Sequence, residues 1–185
     1  SDVEIGGDGA LYVADWHNAL IGHMQHNMRD PNRDHEHGRI YRVTYKGRDL
    51  VKPAKMKGKP IAEVCQNFFS TTDSTRYRAR LELTGRSRDE ITREVGEFAA
   101  KLNPKNASAD RNEAQALLEC LWVFEEQRLQ NIELLARVFQ ADEPRVRAAA
   151  VRTLGHWGEI NPEVNGWKPI LEAASQDELA LVRAE

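Results

Sequence analysis

The sequence lacks most of the residue patterns that mark redox, metal-binding and membrane-spanning proteins. It has two cysteines, Cys65 and Cys120, and neither belongs to a CxxC or CxxCH motif, which excludes a vicinal redox pair and covalent haem attachment within these residues. No HExxH or zinc-finger spacing is present. No apolar run approaches the roughly 18–20 residues that cross a bilayer. Both cysteines fall on the apolar side of predicted helices, where we expect buried, unreactive thiols.

The charge of the chain shows no bias of either sign that would indicate a partner. Lys and Arg number 26 against 29 Asp and Glu, a formal net charge of −3, so we expect no overall attraction to nucleic acid or to an anionic membrane. The chain opens on a strand pattern and closes on a helical one, LALVRAE. We therefore expect it to be part of a longer protein, truncated at the C-terminus, and the missing targeting signal carries no information about location.

What the sequence does have is a histidine-rich segment between two strand patterns. Five of the six histidines lie between Asp15 and Val43. The flanking runs Ala10–Ala14 and Arg39–Val43 read as strands, and the second alternates apolar and polar residues. The connection between them, residues 16–38, is well past the ~12–15 residues at which an unstructured loop becomes unusual in a compact domain. A loop of this length and composition is typical of a functional site.

Three interpretations of this loop stay open. Its side chains form a hydrogen-bonded polar network, or bind a divalent metal, or contact a substrate or organic cofactor. If Ala19–Met28 is helical, His23, His26 and Asp30 share one face at i, i+3 and i+7, a spacing that lets imidazole and carboxylate groups converge. The candidate metal ligands are His17, His23, His26, Asp30, Asp34, His35 and His37.

Residues 1–46 predict a small sheet. Val3–Ile5, Leu11–Ala14 and Arg39–Tyr45 read as three strands, and Gly6–Gly9 as a tight turn in which glycine supplies positive φ. Three strands alone are marginal. We expect the pattern GDGALYVADW … GRIYRVTYKG to form the last blade of a β-propeller, closing against blades upstream.

A basic linker and a helical array follow. Residues 47–60, with Lys46, carry six Lys or Arg against one Asp and show no period, which is typical of a solvated linker. From residue 61 to 185 the apolar period becomes helical. Expected features are a stop at Gly85, a capping box at Ser87–Glu90 and a helix from Asp142 to Gly155.

The predicted helices come in about four pairs. The tripeptides Tyr77-Arg78-Ala79, Val146-Arg147-Ala148 and Val182-Arg183-Ala184 recur at about one or two units of 34–36 residues. Such a period of helix pairs predicts an α-solenoid. The run DEPRVRAAAVRTLG closely resembles the second helix of a HEAT repeat. The fold class we expect is therefore mainly α, a HEAT-like solenoid preceded by a short β segment.

The blade-like segment followed by HEAT-like pairs resembles large bacterial proteins described as membrane-bound dehydrogenases. In that family a propeller similar to sorbosone and soluble quinoprotein glucose dehydrogenases precedes HEAT repeats and commonly a c-type haem domain. The resemblance covers essentially the whole chain and is most specific over residues 15–43. It implies an extracytoplasmic or periplasmic oxidoreductase of sugars or alcohols, with pyrroloquinoline quinone and haem c in the full-length protein. The fragment alone is expected to be inactive.

The resemblance assigns no catalytic residue by motif. Arg29, Arg33 and Arg39 are candidates for contacting cofactor carboxylates, because guanidinium groups match them bidentately. The expected partners are the upstream blades and a protein on the concave face of the solenoid, with no nucleic acid. The alternative function is a non-catalytic HEAT-repeat scaffold for protein interactions.

Overall fold

The protein is mainly helical, with one small sheet near its amino terminus. The computed structural model describes residues 2–15, 31, 34, 36–160 and 166–185. Helices make up 52% of the residues, so the prediction that helix far exceeds strand is confirmed. The chain divides into two compact units, Ser1–Ala54 and Lys55–Glu185, and this division falls inside the predicted linker. Among the helices described, none is both long enough and apolar enough to cross a membrane.

The first unit is a three-stranded antiparallel sheet in the order β1-β2-β3. Its strands are β1 (Asp2–Ile5), β2 (Leu11–Asp15) and β3 (Arg39–Val43). The β1–β2 turn closes through a hydrogen bond of 2.9 Å from the Gly6 amide to the Ala10 carbonyl. Gly9 has a φ of 75°, which explains glycine at that position. The three predicted strands are thus present, each within two residues of its predicted bounds.

The register gives this sheet one apolar and one mixed face. Val3 pairs with Val13 and Ile5 with Leu11, and both β2 residues pair onward with β3. Paired residues point to the same side of a sheet, so six apolar side chains share one side. We define the apolar face as Val3, Ile5, Leu11, Val13, Tyr41 and Val43. Most of it is open to solvent, with β1 and β3 exposed along their whole length.

The second unit holds eight helices among its described residues, 55–160 and 166–185. The first four are α1 (Ile61–Cys65, continued by the 3-10 turn Gln66–Phe69), α2 (Asp73–Thr84), α3 (Arg88–Glu90, the π-helical Ile91–Val95 and Gly96–Ala100) and α4 (Glu113–Glu126). The others are α5 (Ile132–Phe139), α6 (Pro144–Ile160), α7 (Lys168–Ser175) and α8 (Ala180–Arg183).

Local chemistry explains where some of these helices begin and end. Ser87 and Glu90 form the predicted capping box, in which each side chain accepts the backbone N–H of the other residue. Gly85 follows the last residue of α2, as predicted. The prediction that Gly155 ends α6 is wrong, because the helix continues to Ile160. Leu154 and Trp157, on either side of Gly155, are both buried. Tertiary packing therefore keeps the helix intact through glycine, which has a low helix propensity.

The helices pack as four consecutive pairs, and the second helix of each pair contacts that of the next. Thus α2 packs on α4, α4 on α6 and α6 on α8. The core between them contains both cysteines as buried free thiols, as expected. Burial raises the pKa of Cys65 to about 12 and also raises that of Cys120, which keeps both thiols protonated and unreactive.

The structure corrects one member of the predicted repeat. Arg147 Nη1 donates to the Ala141 carbonyl six residues upstream at 2.9 Å, and Arg76 Nη1 does the same to the Ser70 carbonyl at 2.6 Å. Arg76, not Arg78, therefore occupies the repeated position. A shift of two residues turns a side chain by about 200° around a helix. For that reason the predicted Tyr77-Arg78 lies on the exposed side of α2.

Candidate functional site

The candidate site lies at the end of the sheet from which the long connection leaves. β2 ends at Asp15 and β3 begins at Arg39, and these two residues are register partners. The connection 16–38 therefore starts and ends on neighbouring strands, at the same end of the sheet. We define the loop end of the sheet as Asp15, Asp34, His37, Arg39 and Tyr41.

Asp34 and His37 form a carboxylate–imidazole pair. Asp34 Oδ1 accepts the backbone N–H of Glu36 at 3.0 Å and that of His37 at 3.1 Å. The Nδ1 atom of His37 lies 3.2 Å from each carboxylate oxygen of Asp34. The Glu36 N–H, followed by the His37 ring, holds the pKa of Asp34 below its ordinary value. When Nδ1 carries the ring proton, it donates to Asp34, and Nε2 is left as an acceptor on an exposed ring.

Arg39 lies beside this pair with a side-chain partner on its own strand. Its Nη1 donates to the hydroxyl of Tyr41 at 3.3 Å, and this bond is the main cause of the raised pKa of Arg39. The charges of Asp15 and Asp34 raise that pKa further, so both carboxylates act on the guanidinium. The loop end thus combines a cation with an imidazole that a carboxylate orients. Such a combination can bind a carboxylate group and accept a proton or a metal ion.

The structure places only some of the predicted site residues. Asp34, His37 and Arg39 are described and lie together at the loop end. The others lie outside the described residues: His17, His23, His26, Arg29, Asp30, Arg33 and His35. In the part of the chain that is described, no three His, Cys, Asp or Glu side chains are grouped closely enough to hold a metal ion. The metal and cofactor sites therefore stay predictions.

A second polar cluster, at the opposite end of the sheet, was missed by sequence reasoning. Asp8 in the β1–β2 turn accepts the Tyr12 hydroxyl at 3.0 Å, the Ala10 N–H at 3.0 Å and the guanidinium of Arg42 on β3. The Ala10 N–H is the main cause of the lowered pKa of Asp8. The cluster ties the turn to β3. Its sequence signal was the aspartate of an Asp-Gly turn, a residue that commonly bonds its own turn backbone.

A buried carboxylate in the helical unit was also missed. Glu119 on α4 is 1% exposed and accepts Arg76 Nε at 2.9 Å, Gln115 Nε2 at 2.8 Å and the guanidinium of Arg80. Arg80 also stacks on Trp122, with its Cζ 4.9 Å from the ring centroid. The sequence feature that could have indicated this buried carboxylate is a single glutamate inside the apolar run ALLECLWVF. Guanidinium donors occupy both carboxylate oxygens, so we assign Glu119 a structural role.

A cavity of about 230 Å³ opens between α3 and α5. Two of its polar side chains already have partners in the protein. Arg137 donates to the Leu102 carbonyl at 2.8 Å, and Asn131 caps α5 by accepting the Leu134 N–H at 2.9 Å. The lining residues are Gly96, Ala99, Ala100, Asn131, Glu133, Leu134 and Arg137.

Comparison with known protein families gives a match within the sheet unit. Residues 1–47 match the family model of a domain of unknown function, DUF7133. The matched segment takes in all three strands and the connection 16–38, and it ends one residue after the predicted end of the β segment. No curated protein and no solved protein structure matches the chain.

Proposed function

We propose that this chain is the junction between the last blade of a β-propeller and a HEAT-like α-solenoid in a quinoprotein-like dehydrogenase that oxidises a sugar or an alcohol. The observation that carries the proposal is the sheet. Six apolar side chains share its exposed face, and a polar loop that carries an oriented histidine leaves the end at which Arg39 lies. A propeller blade is a small antiparallel sheet that buries its faces against neighbouring blades and carries its functional loops at one end.

The helical unit supports the second half of this proposal. Its helices form consecutive pairs, and the second helices of successive pairs pack in series. The bond from an arginine to the carbonyl six residues upstream occurs at Arg76, Arg147 and Arg183. Repetition of one local contact along a series of packed pairs is the behaviour of a solenoid.

The residues at the loop end suit the proposed chemistry. Oxidation of an alcohol removes the hydroxyl proton and transfers the carbon-bound hydrogen with its two electrons. Pyrroloquinoline quinone, when bound, would supply the electron acceptor. The guanidinium of Arg39, with the predicted Arg29 and Arg33, suits the carboxylates of that cofactor. The loop histidines are the candidates for orienting substrate or a metal, and the expected setting is periplasmic or extracytoplasmic.

Quinone-dependent dye reduction by the longer protein that we propose contains this chain tests the function. Replacing His23 and His26 together by Ala is expected to depress dye reduction while the circular dichroism spectrum stays unchanged. His156→Ala is the matched control, because this histidine lies on α6, outside the loop, and that variant is expected to keep full activity. Unchanged activity in the double variant would return the loop to a structural role. Absence of dye reduction with any sugar or alcohol, with quinone supplied, would overturn the proposal.

A second candidate function, a non-catalytic interaction scaffold, is favoured by one observation. Tyr77 and Leu81 are about half exposed on the same side of α2, one helical turn apart. Tyrosine is enriched where proteins bind each other, and an exposed leucine beside it extends the apolar surface. Upstream blades and a downstream CxxCH in the gene would favour the dehydrogenase, and their absence would favour the scaffold.

A further inference from the structure

The cavity between α3 and α5 has an apolar floor and a charged rim. Ala99 and Leu134, which are 2% and 4% exposed, form the floor. Glu133 is exposed at the rim, and Arg137, one helical turn further along α5, is half-buried. An apolar cavity of about 150 Å³ is large enough to bind benzene. A cavity of about 230 Å³ therefore has room for a branched or aromatic side chain together with a small polar group.

The two charged side chains of the rim are not paired with each other. Glu133 precedes Arg137 by four residues, a spacing at which acidic and basic side chains on a helix commonly form an ion pair. Here the guanidinium instead donates through Nη2 to the Leu102 carbonyl at 2.8 Å, just beyond the end of α3. In the part of the chain that the structure describes, neither side chain has an ion pair and the Glu133 carboxylate accepts no hydrogen bond. The cavity thus presents one unpaired cation and one unpaired anion.

Gly96 lies on the α3 wall of this cavity, where the folded chain itself does not require glycine. Its φ of −61° and ψ of −46° are ordinary helical values. A Cβ built there would stand in open space, with no atom of another described element within 4 Å. Alanine has a higher helix propensity, so this glycine lowers stability without improving packing. It does leave the helix backbone accessible from the cavity, directly after the π-helical turn Ile91–Val95, and such turns are frequent at functional sites.

We propose that this cavity binds a free α-amino acid with a branched aliphatic or aromatic side chain. The ammonium and the carboxylate of such a molecule are attached to the same carbon. They match the Glu133 carboxylate and the Arg137 guanidinium, because side chains four residues apart on a helix have Cβ atoms only about 5–6 Å apart. The side chain of the ligand packs on Ala99 and Leu134 and against the bare backbone at Gly96. Binding here is independent of the proposed dehydrogenase activity.

An NMR titration of the 185-residue chain with L-phenylalanine tests this site. We expect the amide signals of Gly96, Ala99 and Leu134 to shift with a dissociation constant of about 1 mM or below, an affinity that a ligand of this size can reach. Hydrocinnamate, which lacks the ammonium, and phenethylamine, which lacks the carboxylate, are expected to bind about tenfold more weakly or worse. Each of them loses one charged hydrogen bond.

Two variants separate binding from stability. Glu133→Gln is expected to weaken L-phenylalanine binding about tenfold or more and to bind hydrocinnamate no more weakly, because only the ammonium contact is lost. Gly96→Ala is expected to raise the midpoint of thermal unfolding by about 2–4 °C, since alanine is the better helix former, and to weaken binding, since its methyl group enters the cavity. Glu97→Gln is the matched control, because this glutamate is exposed on α3 and does not line the cavity.

Three outcomes would overturn the proposal. Absence of shifts at Gly96, Ala99 and Leu134 up to the solubility limit of L-phenylalanine shows that the cavity binds no such molecule. Equal affinity for L-phenylalanine and hydrocinnamate, together with unchanged affinity in Glu133→Gln, identifies a site for anions and not for amino acids. Unchanged affinity in Gly96→Ala places the bound molecule outside this cavity.

Discussion

The two units of this protein differ in how far their apolar side chains are exposed to solvent. In the helical unit most of them are inside: Leu117, Leu121 and Leu135 have no exposed surface. In the sheet unit they are outside: Val3, Ile5 and Val43 are at least half exposed although they share one face. Both units have well-formed local structure, so the difference lies in what covers the apolar surface. Among the described residues, the helical unit covers most of its own apolar surface, whereas the sheet leaves most of its apolar face exposed.

Regular strands can therefore form without burial of their apolar side chains. The strands pair in register and the Asp8 cluster ties the turn to β3, although most of the large apolar side chains described in this sheet are exposed or half-buried. Isolated sheets of this size are marginal in water because their hydrogen bonds stabilise little once desolvation is counted. The helices, by contrast, derive most of their stability from the packed faces.

The largest expected effect comes from removing the buried carboxylate of the helical unit. Glu119→Ala leaves Arg76 and Arg80, both largely buried, without their shared partner, and we expect a loss of about 3–5 kcal/mol in the free energy of unfolding of this unit. Urea denaturation followed by circular dichroism measures it. The control is Glu126→Ala, which removes a more exposed partner of Arg80 and should cost about 1 kcal/mol or less. Equal costs for the two variants would show that burial of Glu119 does not matter.

A matched pair of valines tests the comparison directly. Val151 lies on α6, packs against α7 and α8, and is 3% exposed. Val43 lies on the apolar face of the sheet and is 53% exposed. Val151→Ala should lower the free energy of unfolding by roughly 2 kcal/mol, because it removes buried methyl groups and leaves a cavity. Val43→Ala should stay within about 0.5 kcal/mol in the isolated chain. A large cost at Val43 would mean that the apolar face is covered in solution.

The smallest expected effect is present at neutral pH and disappears in acid. Arg147, followed by the Leu179 N–H, holds the pKa of Asp177 below its ordinary value. A lowered folded-state pKa contributes stability that is present above the unfolded value, about 3.9, and is lost as the pH falls through the folded value. Asp177→Asn should therefore lower stability at neutral pH and flatten its decline below about pH 4. Thermal unfolding of both proteins between pH 7 and pH 3 measures this, and parallel curves would contradict it.

Much of the fold was predictable because its signals are local. The Ser87–Glu90 box, Gly85 after α2 and the Gly9 turn each depend on the backbone of a few neighbouring residues, and all three are present. The register of the repeat could not be read from the sequence, because Arg76 and Arg78 lie at nearly the same distance along the chain from Arg147. Only the contact with the Ser70 carbonyl distinguishes them.

The candidate site was predicted in part for a similar reason. The position of the loop between β2 and β3 follows from two strand patterns, and Asp34, His37 and Arg39 do lie together at its end. The pairing of the Asp34 carboxylate with the His37 ring could not be read from a spacing of three residues, which is equally compatible with two separate ligands. The roles of the remaining loop histidines stay predictions.

By itself the sequence determined the kind and order of the elements, since apolar period, caps and turn glycines act within a few residues. Tertiary structure alone decided which polar groups are buried and paired. Glu119 is acceptable inside the helical unit only because Arg76, forty-three residues away, and Arg80, thirty-nine away, converge on it. The partner of a buried charge is chosen by packing between distant helices, and no local pattern contains that information.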